Sequence, residues 1–277
     1  MSSPGQVRAL ALSCHPLPAL AVTAISAGLA ALADLSFVRG ALVTVAVFTG
    51  QLSIGWSNDY LDADRDRAVR RSDKPIAAGA VPRGVARTAV VIAVVLTLAF
   101  SAALGLRGGG VAVATVLCGW LYNLGLKGTV LSWLPYALAF GGLPAIATLS
   151  ASPARWPATW AIAAGALLGV AAHLANVLPD LQDDAATGVR GLPHRLGARA
   201  SAIVVALVLL GASAVILLGP GGSPGHWRWS GFIMASTLTG AATGTAYRTP
   251  ASRRFFLTII VIAAIDVASF ALSGTRL

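Results

Sequence analysis

The 277-residue sequence is 56% hydrophobic and 11% charged, with a mean hydropathy of +0.78, where soluble domains carry roughly 25% charged residues. That excludes an ordinary soluble enzyme and leaves apolar sequence for many membrane spans. The net charge of +10 does not argue for a nucleic-acid partner, because basic residues in the loops of a membrane protein set its topology.

Read in order, the N-terminal stretch Met1–Leu12 carries Arg8 but no signal-peptide cleavage pattern, so the first span is expected to be retained. Apolar runs of spanning length are predicted at Leu17–Leu35, Ala41–Trp56, Ala86–Leu106, Val111–Leu124, Val130–Leu149, Ala158–Leu178, Ala198–Leu218, Trp229–Tyr247 and Phe255–Leu272. Pro16 suits a helical first turn. Arg107-Gly108-Gly109-Gly110 reads as a tight turn between the third and fourth spans, and Gly219–Gly225 as another between the seventh and eighth. Cys14 and Cys118, far apart and without metal-ligand spacing, read as small apolar residues. The expectation is an all-α polytopic bundle of about nine transmembrane helices, forming a single domain over residues 1–277.

Basic residues crowd one side of this topology. The loops after even-numbered spans hold Arg65, Arg67, Arg70, Arg71, Lys74 and Arg83, then Lys127, then Arg190, Arg195 and Arg199, then Arg248, Arg253 and Arg254. Opposite loops hold only Arg39, Arg107, Arg155 and Arg228, with Arg276 at the tail. The bias predicts a cytoplasmic N-terminus.

The same side carries the acids. Of ten acidic residues, all Asp, four lie in Asn58–Asp66 and three in Asn176–Asp184. Both stretches contain Asn-x3-Asp-x3-Asp: Asn58, Asp62 and Asp66, then Asn176, Asp180 and Asp184. Residues four apart share a helix face, so each triplet predicts a ladder of oxygen ligands. Crowded carboxylates repel unless a cation lies between them. Oxygen ligands without His or Cys suit a hard ion such as Mg²⁺, completed by substrate phosphates. A diphosphate held between the ladders, with Arg71, Lys74 and Lys127 as basic partners, would leave an allylic cation. Such a cation needs a water-excluding chamber, which a helical bundle supplies.

These residues resemble the UbiA superfamily of intramembrane prenyltransferases. Asn58-Asp59-x2-Asp62-x3-Asp66 matches that family's first motif, and Asp180-x3-Asp184 its second. Tyr122-x3-Leu126-Lys127 matches the motif between them. Arg71 with Lys74-Pro75-Ile76-x2-Gly79 resembles the segment after the first motif, with Lys74 where Arg is usual and Ala78 where Ser is usual. Gly188-x2-Gly191-Leu192-Pro193 resembles the continuation of the second. At the first span, many members have Arg-Pro where this chain has His15-Pro16. The resemblance implies Asn58, Asp62, Asp66, Asp180 and Asp184 as Mg²⁺–diphosphate ligands, with Tyr122 and Lys127 near the diphosphate. It implies transfer of an isoprenyl group from a prenyl diphosphate to an acceptor, aromatic by expectation, within the lipid bilayer.

Other residues admit two readings. His173, one turn before Asn176, either lines the chamber or packs as a hydrogen-bonded histidine. Asp59, Asp64 and Asp183 fall off the ladders and read as partners of the site or as solvated acids. Asp73 reads as a loop residue. Trp133, Tyr136 and Phe140 read as rings that stack on a cation, with interface anchoring the other reading for Trp133 and packing the other reading for Phe140. Asp266 is the one acid deep in a span, and intramembrane acids mark function by default. A terpene cyclase of the same fold shares every motif. A cation-coupled transporter fits less well, since its acids would sit near the midplane on broken helices.

Overall fold

The computed structural model describes residues 4–248, 253–273 and 277, and every regular element among them is helical. The loop predicted between the last two spans, at 249–252, lies outside the described residues, as does Arg276. A short α1 (Pro4–Ser13) precedes α2 (Pro16–Leu32), α3 (Phe37–Ala68), α4 (Arg83–Ala103), α5 (Leu106–Leu124), α6 (Leu134–Leu149) and α7 (Thr159–Val177). The short α8 (Leu181–Ala186) and α9 (Leu192–Leu196) lead to α10 (Ala198–Leu218), α11 (His226–Arg248) and α12 (Arg253–Leu272). The long helices follow the nine predicted runs in order. By length and composition, α3, α4, α10 and the run Thr159–Ala186 each suffice to cross a membrane, and the α1–α2 pair, bent by 62°, passes as one span. The outer face of α4 exposes Val91, Ile92, Val95 and Leu98. An apolar exterior of this kind fits hydrocarbon.

Three boundaries differ from the sequence expectation. The first acidic stretch does not follow its span as a loop. α3 continues through it for 32 residues, about 48 Å at 1.5 Å per residue, well past the ~30 Å of a hydrocarbon core. Arg65 and Arg67 occupy its last turn, where cations offset the helix dipole. The glycine-rich turn is also displaced. α4 ends at Ala103, the chain reverses at Gly105 with φ 86°, and Gly108 and Gly109 lie inside α5. Their role is close packing: a Cβ on Gly109 would strike the Ser101 carbonyl, and one on Gly108 the Ser150 side chain. Third, the second ladder is not one straight helix. Pro179 has no N–H to donate, so the helical hydrogen bond back to the Ala175 carbonyl cannot form. α7 therefore stops at Val177, a 3₁₀ turn spans Leu178–Asp180, and α8 carries Asp184.

Two packed groups form the bundle. Leu174, Val205, Leu209 and Ile262 knit α7, α10 and α12 together, and Val22, Val43, Leu143 and Ile146 knit α2, α3 and α6. The loop after α3 is held by its own apolar anchors. Ile76 and Val81 are buried against Ala63 and Ala86, which turns Arg71 and Lys74 inward.

Candidate active site at the mouth of the bundle

Helices from both packed groups line one cavity of about 720 Å³. Its mouth is ionic, with Asn58, Asp62 and Asp66 from α3 facing Asp180 and Asp184. The deeper wall is apolar, including Ile25, Leu143, Leu168 and Ile216.

On the first ladder, Asp62 and Asp66 are each 8% exposed. Lys127 Nζ donates to both Asp62 oxygens at 2.6 and 2.5 Å, and Arg65 approaches the same carboxylate at 2.6 Å. The 3₁₀ turn Leu126–Gly128 brings Lys127 there. Burial pulls the Lys127 ammonium below the usual lysine range, against the pull of Asp62. Asp66 Oδ2 is buried and has no hydrogen-bond partner among the described residues. Asn58 donates to Asn123 Oδ1 at 3.1 Å, so its own carbonyl oxygen is the atom left to act as a ligand. Asn123 in turn donates to Ile54 O and Ser57 Oγ, both at 2.9 Å, and this buried amide fixes the orientation of Asn58.

The second ladder is more open. Arg71, 12% exposed, donates to Asp73 through Nε at 2.9 Å and Nη2 at 3.0 Å. It also lies 3.1 Å from Asp180 and 3.5 Å from Asp183. The Asp73 hydrogen bonds hold the guanidinium above its ordinary range, and Arg71 holds the Asp73 carboxyl down at about 2. Arg71 thus ties the loop after α3 to the second acidic segment. Asp73 lines the cavity and is part of this tie, contrary to its reading as a plain loop residue. Asp184 is 3.8 Å from His194, too far for a hydrogen bond.

Lys74 also faces inward, but its charge is engaged. It donates to Asp59 Oδ1 at 2.7 Å and lies 3.2 Å from His15 Nε2, which is itself 2.9 Å from Asp59. Asp59 is 2% exposed. The His15–Asp59–Lys74 cluster joins the start of α2, α3 and the loop. The i+1 position of Asp59 relative to Asn58 placed it off the ladder and gave no hint of this pairing. Asp64 faces outward, paired with Arg67 at 3.0 Å and Arg83 at 2.6 Å.

Below the mouth, Tyr122, Tyr136 and Phe140 line the cavity. Tyr122 meets Tyr136 edge-on at 5.2 Å, and Tyr136 stacks on Phe140 at 6.3 Å. Asn176 lines the cavity and hydrogen-bonds Tyr136. His173 and Trp133 are not among the lining residues. His173 is fully buried behind the tyrosines, with ring centroids 5.6 Å from Tyr122 and 5.1 Å from Tyr136. Its Nε2 lies 3.0 Å from Ser132 Oγ, which accepts from Leu192 N. Three positions before Asn176, its side chain points into the bundle wall, so it braces the aromatic layer without facing the chamber. Behind that layer, Gly191 passes against the Lys127 carbonyl and Ser132, where a Cβ would collide.

The UbiA prenyltransferase family model matches residues 19–262. The digeranylgeranylglyceryl phosphate synthase of Pyrococcus abyssi is 28% identical over 172 residues, covering 59% of this chain and 58% of that protein. The bacteriochlorophyll synthase 33 kDa chain of Cereibacter sphaeroides is 31% identical over 182 residues, covering 62% and 60%. The matched region thus spans about three-fifths of each relative. In structure, a UbiA homolog from Aeropyrum pernix K1 is 16% identical with a TM-score of 0.75, over 92% of this chain and 98% of that one. A UbiA homolog from Archaeoglobus fulgidus bound to DMAPP and Mg²⁺ is 15% identical with a TM-score of 0.73, over 95% and 98%. At these identities the structural likeness shows the fold. The family match, by contrast, extends over most of the sequence and takes in both Asp ladders and Lys127; the chain belongs to the UbiA prenyltransferase family.

Proposed function

We propose that this chain, acting as one domain, transfers an isoprenyl group from a prenyl diphosphate to an acceptor inside the membrane. The observation that carries the reading is the juxtaposition of two carboxylate ladders, 118 positions apart in sequence from Asn58 to Asn176, across the ionic mouth of one apolar cavity. The Archaeoglobus homolog bound to DMAPP and Mg²⁺ supports it, as do relatives named as a digeranylgeranylglyceryl phosphate synthase and a bacteriochlorophyll synthase chain.

The residues fit Mg²⁺. The donors are all oxygens, and Asp66 Oδ2 is buried without a partner among the described residues. That suits an ion which takes one or two carboxylates and completes its shell with substrate phosphates and water. Asn58, Asp62, Asp66, Asp180 and Asp184 would hold it. When bound, Mg²⁺ supplies neutralisation of the leaving diphosphate.

The chain's own groups do the rest. Lys127 and Arg71, now paired with carboxylates, are the donors for which an incoming diphosphate competes. Lys74 stays locked by Asp59 and His15 and sets the shape of the mouth. The allylic C–O bond breaks with its electron pair leaving on diphosphate. Tyr122, Tyr136 and Phe140, which line the cavity below the mouth, would supply the cation with electron density, and the apolar wall would exclude water that would quench it. The acceptor supplies the electron pair for the new bond and then loses a proton to the solvated mouth. An aromatic ring is the acceptor class that this tyrosine-lined layer suits. The asymmetry of Lys and Arg among the loops supports a cytoplasmic side for the mouth and the N-terminus.

Mass spectrometry of membranes carrying the chain, supplied with prenyl diphosphates and a panel of aromatic acceptors, tests the proposal. A prenylated acceptor and released diphosphate are expected. A cyclised hydrocarbon formed from the diphosphate alone would assign a cyclase instead, and no metal-dependent diphosphate release would refute both.

A further inference from the structure

Asp266 on α12 is 1% exposed and lines the same cavity. Every other charged residue on the lining belongs to the mouth. Around Asp266 the helix is apolar, with Ile262 and Phe270 buried one turn to either side. Its Oδ2 accepts from Ser213 Oγ of α10 at 2.8 Å, and no basic side chain pairs with it among the described residues. Its depth follows from its neighbours. Phe270 packs on Trp160, ring centroids 4.9 Å apart, at the end of α7 opposite Asn176. Sixteen residues separate Trp160 from Asn176, and α12 runs back toward the mouth by four residues from Phe270 to Asp266. At 1.5 Å per residue, Asp266 therefore lies roughly 18 Å below the level of Asn176.

We propose that Asp266, oriented by Ser213, is a specificity-determining residue that discriminates against prenyl tails long enough to reach it. The inference rests on the proposed prenyl-diphosphate chemistry. With the diphosphate held at the mouth, tail length alone decides which carbons meet Asp266. A short tail ends above it and leaves the carboxyl its Ser213 bond and room for water. A long tail displaces that water and covers a polar oxygen with hydrocarbon, which offers it no hydrogen bond.

The test uses the purified full-length protein with geranyl, farnesyl and geranylgeranyl diphosphates in competition. The readout is the ratio of kcat/KM for geranylgeranyl over geranyl. Asp266→Leu is expected to raise the ratio about tenfold, equivalent to about 1.4 kcal/mol. Asp266→Asn, of the same size and still polar, is expected to keep the ratio within about threefold of the unmodified protein. If the leucine variant fails to accumulate, Asp266→Ala is read the same way. An unchanged ratio in an active apolar variant overturns this inference alone. Absence of turnover of all three diphosphates by the unmodified protein overturns the proposed function, and this inference with it.

Discussion

Arg71 ties the loop after the first ladder to the second acidic segment, and removing it tests whether that tie matters. Its bidentate bonds to Asp73, on a guanidinium 12% exposed, are worth about 1–2 kcal/mol once solvent at the Asp73 side is allowed for. Asp180 and Asp183 are 38% and 51% exposed, so each of those contacts adds at most about 0.5 kcal/mol. The total of about 1–3 kcal/mol would appear in kcat/KM for the prenyl diphosphate, because Asp180 and Asp184 lose their fixed position relative to Asp62 and Asp66. Arg71→Ala is thus expected to lower kcat/KM roughly 5- to 150-fold. Arg71→Lys keeps the charge but not the planar fork, and should recover only part of the loss. Asp73→Ala should lower the rate in the same direction, and non-additively with Arg71→Ala, since both break one unit. Asp64→Ala is the control: its carboxylate is 72% exposed and pairs only with surface arginines, so a change within about twofold is expected. The assay is steady-state diphosphate release in detergent, with thermal unfolding of each variant measured alongside. Arg71→Ala at the unmodified rate, or Arg71→Lys indistinguishable from the unmodified protein, would refute the linkage and return Arg71 to the role of a topology charge.

Asp62→Ala, Asp66→Ala, Asp180→Ala and Asp184→Ala should each abolish most turnover, and chelating Mg²⁺ should do the same to the unmodified protein; full activity in excess chelator sinks the ladder mechanism. Pairs taken across the two ladders should be non-additive, because they serve one metal–diphosphate unit. Lys127→Ala should weaken diphosphate binding by a few kcal/mol while still inserting into membranes, and unaltered affinity would leave it as a partner of Asp62 only. Cysteines placed beside Asp62 and Asp184 should be labelled from the cytoplasmic side alone; labelling from opposite sides would contradict a shared mouth.

Local geometry made much of this protein legible. Four-residue spacing is a property of any helix, so Asn58, Asp62 and Asp66 could be placed on one face of α3 without knowing their neighbours. Apolar run length reports on the bilayer, and the run Ala198–Leu218 coincides with α10. Chain-breaking chemistry was legible only in part. Pro179 interrupts the second ladder with a 3₁₀ turn, whereas of the Arg107–Gly110 glycines, read as a turn, Gly108 and Gly109 are packing contacts inside α5. Composition alone does not separate those two uses of glycine.

What the sequence determined by itself was the family motifs, the all-helical architecture and the side of the molecule where the acids gather. What only the tertiary structure decided was which charges are already paired. Asp59 finds Lys74 and His15, Arg71 finds Asp180, Asn123 holds Asn58, His173 turns behind the tyrosines and Asp266 faces the chamber. Each of these depends on residues brought together from distant helices, and side-chain pairing across a bundle is set by helix rotation and depth, to which spacing along one helix is blind.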